Sequence, residues 1–103
     1  MNKAQRDLRV TNIIAKLIGY SWKSGSWHRN DKPVTDYFDP MNDEAAAKAL
    51  ADEFDIEVYQ TLDGFTAETP DPNNPDTKLT ANGLTPANAT SLLVCKLAGE
   101  SPE

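Results

Sequence analysis

Residues 19–29 read Gly19-Tyr20-Ser21-Trp22-Lys23-Ser24-Gly25-Ser26-Trp27-His28-Arg29, and they include both tryptophans of the chain. Large and polar side chains alternate on each side of Ser24-Gly25, which is typical of two short strands joined by a tight turn. The stretch starts with Gly19, a residue that readily takes the left-handed conformation at the end of a helix. The sequence therefore predicts that a helix ends at Gly19 and that a hairpin follows it.

The segment before Gly19 shows the periodicity of an amphipathic helix over residues 3–18. One broad side of this helix is apolar and consists of Leu8, Val10, Ile13, Ile14, Leu17 and Ile18. The opposite side is polar and consists of Gln5, Arg9, Asn12 and Lys16. Asn2 and Gln5 have the spacing of a capping box, which supports a helix start at this point. We expect a surface helix that packs its apolar side on the rest of the fold.

The centre of the chain predicts a second helix and a second hairpin. Asp39 or Asn42 is the expected N-cap of the helix, which should end near Phe54. Its inner side is rich in alanine, so the helix can lie close to a sheet. After it, residues 56–68 alternate as two strands around the turn Asp63-Gly64.

Three other segments are assigned from their composition. Residues 34–38 are expected to be extended. Residues 69–76 contain three prolines, which remove backbone donors, so we expect an exposed loop there. Residues 77–81 predict a last short strand before the final helix.

Thr85 and Pro86 have the N-cap and first-turn pattern of a third helix, which should run to about Ala98 and end at Gly99. Its side chains are apolar nearly all round, as shown by Ala89, Leu92, Leu93, Val94, Cys95 and Leu97. This pattern predicts burial, either in the core or at a subunit contact, so a homodimer is one expectation. Within such a helix Cys95 is expected to serve packing rather than reactivity.

The segments follow the order α-β-β-α-β-β-α, with connections too short for repeated parallel crossovers. We therefore expect an α+β fold, an antiparallel sheet with helices packed on it. The chain of 103 residues fits one domain, predicted over residues 1–99, with residues 100–103 as a disordered C-terminal tail.

The composition narrows the classes of function. One cysteine and one histidine exclude an internal disulfide and a classical structural zinc site. We expect no metal site and no cofactor, and no combination of side chains points to catalysis. There is no apolar run near the length of a membrane span and no signal-peptide pattern, so a cytoplasmic protein without membrane contact is expected.

The charge is unevenly distributed along the chain. Residues 1–32 hold seven of the ten basic residues and two acidic ones, which gives this segment a charge of +5. Because the net charge of the chain is −6, residues 33–103 carry a charge of −11. Such segregation is found both in nucleic-acid-binding faces and in ordinary soluble domains. The candidate nucleic-acid-binding residues are Arg9, Lys16, Lys23, Arg29 and Lys32.

The two tryptophans predict different roles. Tyr20 and Trp22 share one face of the hairpin, where we expect Trp22 to pack under the first helix. Trp27 lies beyond the turn and is expected to be partly exposed. An exposed aromatic beside His28 and Arg29 has the composition of a binding hot spot, so these three residues are the candidate partner-binding site.

Four segments carry a resemblance to a known family, namely Ile18-Gly19-Tyr20-Ser21-Trp22, the alanine-rich helix over residues 43–54, Ile56-Glu57-Val58-Tyr59, and Ala87-Asn88-Ala89-Thr90-Ser91-Leu92-Leu93-Val94-Cys95-Lys96-Leu97-Ala98. In order and spacing they cover most of residues 5–99 and resemble the small bacteriophage proteins called phage ABA sandwich domain proteins. The resemblance implies an α/β/α sandwich encoded by a bacteriophage or prophage. It carries over no catalytic residue.

Two functions are expected from these observations. The first is a non-enzymatic interaction module, encoded by a phage or prophage, that binds a host or phage protein in the host cytoplasm. The alternative is nucleic-acid or nucleotide binding through the basic N-terminal third of the chain.

Overall fold

The computed structural model describes residues 2–100, in which three α-helices and six β-strands form. In chain order they are α1 (Lys3–Ile18), β1 (Ser21–Lys23), β2 (Ser26–Arg29), β3 (Lys32–Thr35), α2 (Glu44–Glu53), β4 (Glu57–Thr61), β5 (Gly64–Asp71), β6 (Asn74–Gly83) and α3 (Pro86–Leu97). The strands make two antiparallel sheets, β1-β2-β3 and β4-β5-β6. The predicted α+β class is confirmed, and each predicted hairpin gains a third strand.

Helix α1 begins and ends where the sequence predicts. The Asn2 side chain accepts a hydrogen bond from the Gln5 backbone at 2.9 Å, and the Gln5 side chain accepts one from the Asn2 backbone at 3.2 Å. Gly19 closes the helix in the left-handed conformation, with φ of 83°. The buried side is narrower than expected, however, because Leu8 and Leu17 are 62% and 40% exposed. Helix α1 packs mainly on a single neighbour, α3, so residues at the margins of its apolar side reach solvent.

The first sheet contains two tight turns. Ser24 and Gly25 join β1 to β2 with φ of 54° and 81°, which confirms the predicted hairpin. Asn30 and Asp31 join β2 to β3 with φ of 55° and 62°, a second turn that we did not expect. Both residue types tolerate positive φ, so the signal was present. As a result β3 starts earlier and ends earlier than the extended piece predicted for residues 34–38.

Helix α2 starts later than predicted. Its N-cap is Asp43, whose side chain accepts from the Ala45 backbone at 3.0 Å, and neither Asp39 nor Asn42 caps it. The Asp39 carbonyl instead accepts from the backbones of Asn42 and Asp43, at 3.0 and 2.9 Å, which makes a separate turn. This turn buries Met41 in the core, so the helix can begin only after it. The predicted end is close, since Phe54 is the C-cap.

The exposed loop predicted over residues 69–76 was wrong, because most of this segment belongs to β5 and β6. Pro70 pairs with Lys78 of β6, beyond the last residue of β5 that pairs with β4. The backbone N–H that proline lacks is therefore not needed for a hydrogen bond to β4. Pro75 lies in β6, an edge strand that has one neighbour. Prolines are tolerated at such positions, and the strands join in a turn at residues 72–73.

Helix α3 is the centre of the fold and packs on β5, β6, α1 and α2. Ala89, Leu93, Val94 and Cys95 are fully buried, so the predicted burial of this helix in the core is confirmed. The other face of the β4-β5-β6 sheet carries exposed side chains, including Tyr59, so helices cover one face of this sheet.

The last turn of α3 is closed by a backbone hydrogen bond from a residue that follows the helix. The Glu100 backbone donates to the Cys95 carbonyl at 3.1 Å and closes the last turn, while the rest of the predicted C-terminal tail lies outside the described residues. Within residues 2–100 no helix combines the length and the apolar character that a bilayer crossing requires.

Candidate binding groove

The aromatic cluster of the first sheet is centred on Trp27. The Trp27 ring lies 5.3 Å from Trp22, 6.1 Å from Phe38 and 6.3 Å from Tyr20, measured between centroids. The predicted burial of Trp22 under the first helix was wrong, because its residue is 56% exposed. Trp22 belongs to edge strand β1 and Trp27 to central strand β2, so Trp27 takes the inner position. Trp27 is half-buried, which agrees with the partial exposure predicted for it.

A groove of about 670 Å³ lies beside this cluster, between the first half of α1 and the segment that leads to α2. We call it the α1 groove, and its lining consists of Lys3, Ala4, Asp7, Leu8, Thr11, Trp27, Asp36, Tyr37, Phe38, Asp39 and Asn42. Leu8 and Tyr37 leave 62% and 60% of their surface exposed. Two large exposed side chains therefore flank a concave surface with a half-buried tryptophan in it.

A polar network holds the two walls of the α1 groove together. The buried carboxylate of Asp7 accepts from Lys3 Nζ at 2.7 Å and from Asn42 Nδ2 at 3.0 Å. Asn42 Nδ2 also donates to Asp39 Oδ2 at 2.9 Å, and Lys3 Nζ donates to Asn42 Oδ1 at 3.2 Å. The network ties α1 to the turn before α2, so it fixes the spacing of the walls.

Burial acts to raise the pKa of Asp7, but the hydrogen bonds from Lys3 and Asn42 and the charges of Lys3 and Arg6 outweigh it. The pKa of this carboxyl therefore lies below its ordinary value of 3.8. Because the pKa of Asp7 is lower in the folded state than in the unfolded state, its ionised form stabilises the fold at every pH above the unfolded-state pKa. That contribution is lost as the pH falls through the folded pKa.

Asp7→Asn is therefore expected to lower the free energy of unfolding by about 1–2 kcal/mol at neutral pH, because one charge-assisted network is lost. At pH values below the folded pKa the wild type loses the same interaction, so the two proteins should converge. Urea unfolding at neutral pH and in acid checks this. Asp76→Asn, at an exposed aspartate of β6, is the matched control. An equal difference between Asp7→Asn and wild type at both pH values would contradict the assignment.

Only one of the three predicted partner-binding residues lines the α1 groove. Trp27 lines the α1 groove, whereas His28, the next residue of β2, does not. The His28 Nδ1 lies 3.2 Å from the Ser26 carbonyl oxygen. Arg29 is half-exposed, and its guanidinium lies 3.4 Å from the Glu53 carboxylate at the end of α2.

The five predicted nucleic-acid-binding residues lie on α1 and on the three strands of the first sheet. Arg9 and Lys16 share one exposed face of α1, seven positions apart along the helix. Lys23 and Lys32 are exposed on β1 and β3, where Lys23 pairs with Ser26 and Lys32 with Arg29 at opposite ends of β2. All five residues are exposed, and Arg29 also lies beside the Glu53 carboxylate.

Several groove residues were missed by the sequence analysis. The helical period predicts Leu8 on the buried side of α1, whereas 62% of it is exposed. Tyr37 was included in an extended piece without a role, although an exposed aromatic next to Asp36 is a signal of a binding surface. The pairing of Asp7 with Asn42 has no sequence signal, because it joins residues distant in the chain.

Thiol chemistry and metal binding are the two other candidate chemistries of the chain. Burial raises the pKa of the Cys95 thiol to about 11, with a smaller contribution from the charge of Glu100. The thiol is therefore protonated at neutral pH and poorly reactive. Over residues 2–100 no three metal-binding side chains come together in a way that could hold an ion.

Comparison of the chain with models of known protein families found no match. Searches among curated proteins and among solved structures also found no similar protein.

Proposed function

We propose that the protein is a non-enzymatic interaction module that binds another protein in the α1 groove. The observation that supports this most is the exposure of Leu8 and Tyr37 beside the half-buried Trp27 in one concave surface. Large apolar side chains exposed singly are common, but a group of them beside a groove is typical of binding sites. Aromatic side chains are also the ones that contribute most to protein interfaces.

The source of the protein belongs to the same proposal. The resemblance to phage ABA sandwich domain proteins supports a bacteriophage or prophage origin. The partner would then be a host or phage protein that meets this module in the host cytoplasm. Of the residues predicted for partner binding, Trp27 has the direct role, since it lines the α1 groove.

The test is site-specific photo-crosslinking in a bacterial lysate. A photoreactive phenylalanine derivative replaces Tyr37 in one protein and Tyr59 in the control, since both tyrosines are exposed but Tyr59 lies on the β4-β5-β6 sheet. We expect one defined protein to be captured from position 37 and not from position 59. The change Leu8→Ala, at an exposed residue of the groove lining, should reduce this capture at least tenfold, because hot-spot truncations cost about 2 kcal/mol or more. Equal capture from both positions would contradict a groove-specific site.

Nucleic-acid binding is the second candidate, and the exposed pair Arg9 and Lys16 on one face of α1 is the observation in its favour. Phosphate contacts require an affinity that falls steeply with salt. A fluorescence titration with a single-stranded oligonucleotide at low and high salt therefore decides this case. Binding at low salt that is weakened by Arg9→Gln and Lys16→Gln would support it, and no binding at low salt would end it.

A further inference from the structure

The lining of the α1 groove is more acidic than basic. It contains three carboxylates, from Asp7, Asp36 and Asp39, against the one ammonium group of Lys3. Lys3 Nζ lies 2.7 Å from Asp7 Oδ2, so these two charges compensate each other. The charges of Asp36 and Asp39 remain, and the groove is electrically suited to a cationic ligand.

Asp39 carries its charge in a confined setting. Its Oδ2 accepts from Asn42 Nδ2 at 2.9 Å. Its Oδ1 is buried, and no residue in the described part of the chain donates a hydrogen bond to it. A buried polar atom without a hydrogen-bond partner destabilises the fold. A cation in the adjoining groove would offset part of this cost through its field, even without direct contact with Oδ1.

The remaining walls fit the body of a long cationic side chain. Leu8 and Tyr37 can cover an aliphatic stem, and the half-buried ring of Trp27 can attract a cation to its face. Asp36 is exposed, so its two oxygens can accept parallel hydrogen bonds. A guanidinium makes such paired bonds, stacks on aromatic rings and loses its hydration more readily than an ammonium group.

We propose that the α1 groove takes an arginine side chain of a partner protein, with the guanidinium at Asp36 and Asp39 and the stem against Leu8 and Tyr37. This inference rests on the proposed function, because it names the chemistry of the partner at the same site. A nucleic acid does not fit as the occupant, because its phosphates would meet the carboxylates of Asp36 and Asp39. A purely apolar ligand does not fit either, because it would leave both carboxylates without an opposite charge.

The test is a nuclear magnetic resonance titration of the full chain labelled with ¹⁵N. The ligand is a capped pentapeptide of alanines with one central arginine, used at millimolar concentration. We expect shifts in the amides of residues 36–39 and in the indole of Trp27. A peptide with citrulline, which has nearly the same shape but no charge, should bind at least tenfold more weakly. Asp36→Asn should weaken the arginine peptide about tenfold, while the control Asp76→Asn leaves binding unchanged.

The outcomes separate this inference from the proposed function. Equal binding of the arginine and citrulline peptides would overturn the role of the guanidinium while leaving groove binding intact. Tighter binding of the matching lysine peptide would overturn the choice of arginine. Shifts that appear with protein concentration alone would show that a second copy occupies the groove and would overturn it too. Absence of any shift at residues 36–39 overturns the arginine inference, and capture from position 37 then decides the proposed function independently.

Discussion

Gly83→Ala is expected to lower the free energy of unfolding by about 3 kcal/mol, because the new methyl group has no space. A Cβ atom at Gly83 would lie 2.5 Å from the Ala89 backbone nitrogen and 2.7 Å from Asn88 Cβ. These atoms belong to the first turns of α3, and a helix backbone cannot yield as a flexible side chain can. The end of β6 and the start of α3 would have to separate.

Thermal unfolding followed by circular dichroism measures the effect. A loss of about 3 kcal/mol corresponds to a fall in Tm of roughly 12–24 °C for a domain of this size. Gly19→Ala is the matched control, since a Cβ there meets nothing within 4 Å and the cost is only the strain of φ at +83°. That strain is about 1–2 kcal/mol and should largely disappear in Gly19→Asn, whereas Gly83→Asn should be worse than Gly83→Ala. A Tm within a degree or two of wild type for Gly83→Ala would contradict the close packing of β6 on α3.

Local signals explain why much of the fold could be predicted. The ends of α1 depend on Asn2, Gln5 and Gly19, whose side chains and backbone act within a single turn. The N-cap Thr85 and the first-turn Pro86 of α3 are equally local. Such features can be recognised without knowledge of any distant neighbour, so these boundaries are predictable from the sequence alone.

Features that depend on distant partners could not be predicted in the same way. Whether Trp22 or Trp27 is the inner ring depends on which strand has two neighbours. The sequence predicts the extended segment at residues 34–38, whereas β3 covers Lys32–Thr35, so the central position of β2 could not be predicted. The prolines in residues 69–76 argue against strands, yet Pro70 and Pro75 lie where β5 and β6 each have a single neighbour, and Pro72 lies in the turn between them. Their compatibility with a sheet follows from strand order, which composition alone does not give.

The α1 groove shows the same limit at the level of function. Its residues come from α1, from β2 and from the segment before α2. The Asp7–Asn42 contact that holds it together joins residues 35 positions apart. The sequence grouped Trp27 with its chain neighbours His28 and Arg29. Of the three, Trp27 lines the groove, while Arg29 lies beside the Glu53 carboxylate of α2.

Leu93→Ala is expected to have the other large effect, a loss of about 2–5 kcal/mol in the free energy of unfolding. Leu93 is fully buried in α3, the helix that contacts the β4-β5-β6 sheet as well as α1 and α2. Removing its side chain leaves a cavity that several elements would have to close together. Leu84→Ala makes the same chemical change at a side chain that is 79% exposed, so it should be nearly neutral.

Urea unfolding read by two signals makes this prediction more informative. Both tryptophans lie in the first sheet, so their fluorescence reports on β1, β2 and β3, while far-ultraviolet circular dichroism reports mainly on the helices. Tyr20 and Phe38 join the aromatic cluster to the central core, so we expect both signals to shift together in Leu93→Ala. If the fluorescence midpoint stayed at its wild-type value while the dichroism midpoint fell, the first sheet would be stable without α3. The walls of the α1 groove would then belong to separate cooperative units, and ligand binding in the groove would have to bring them together.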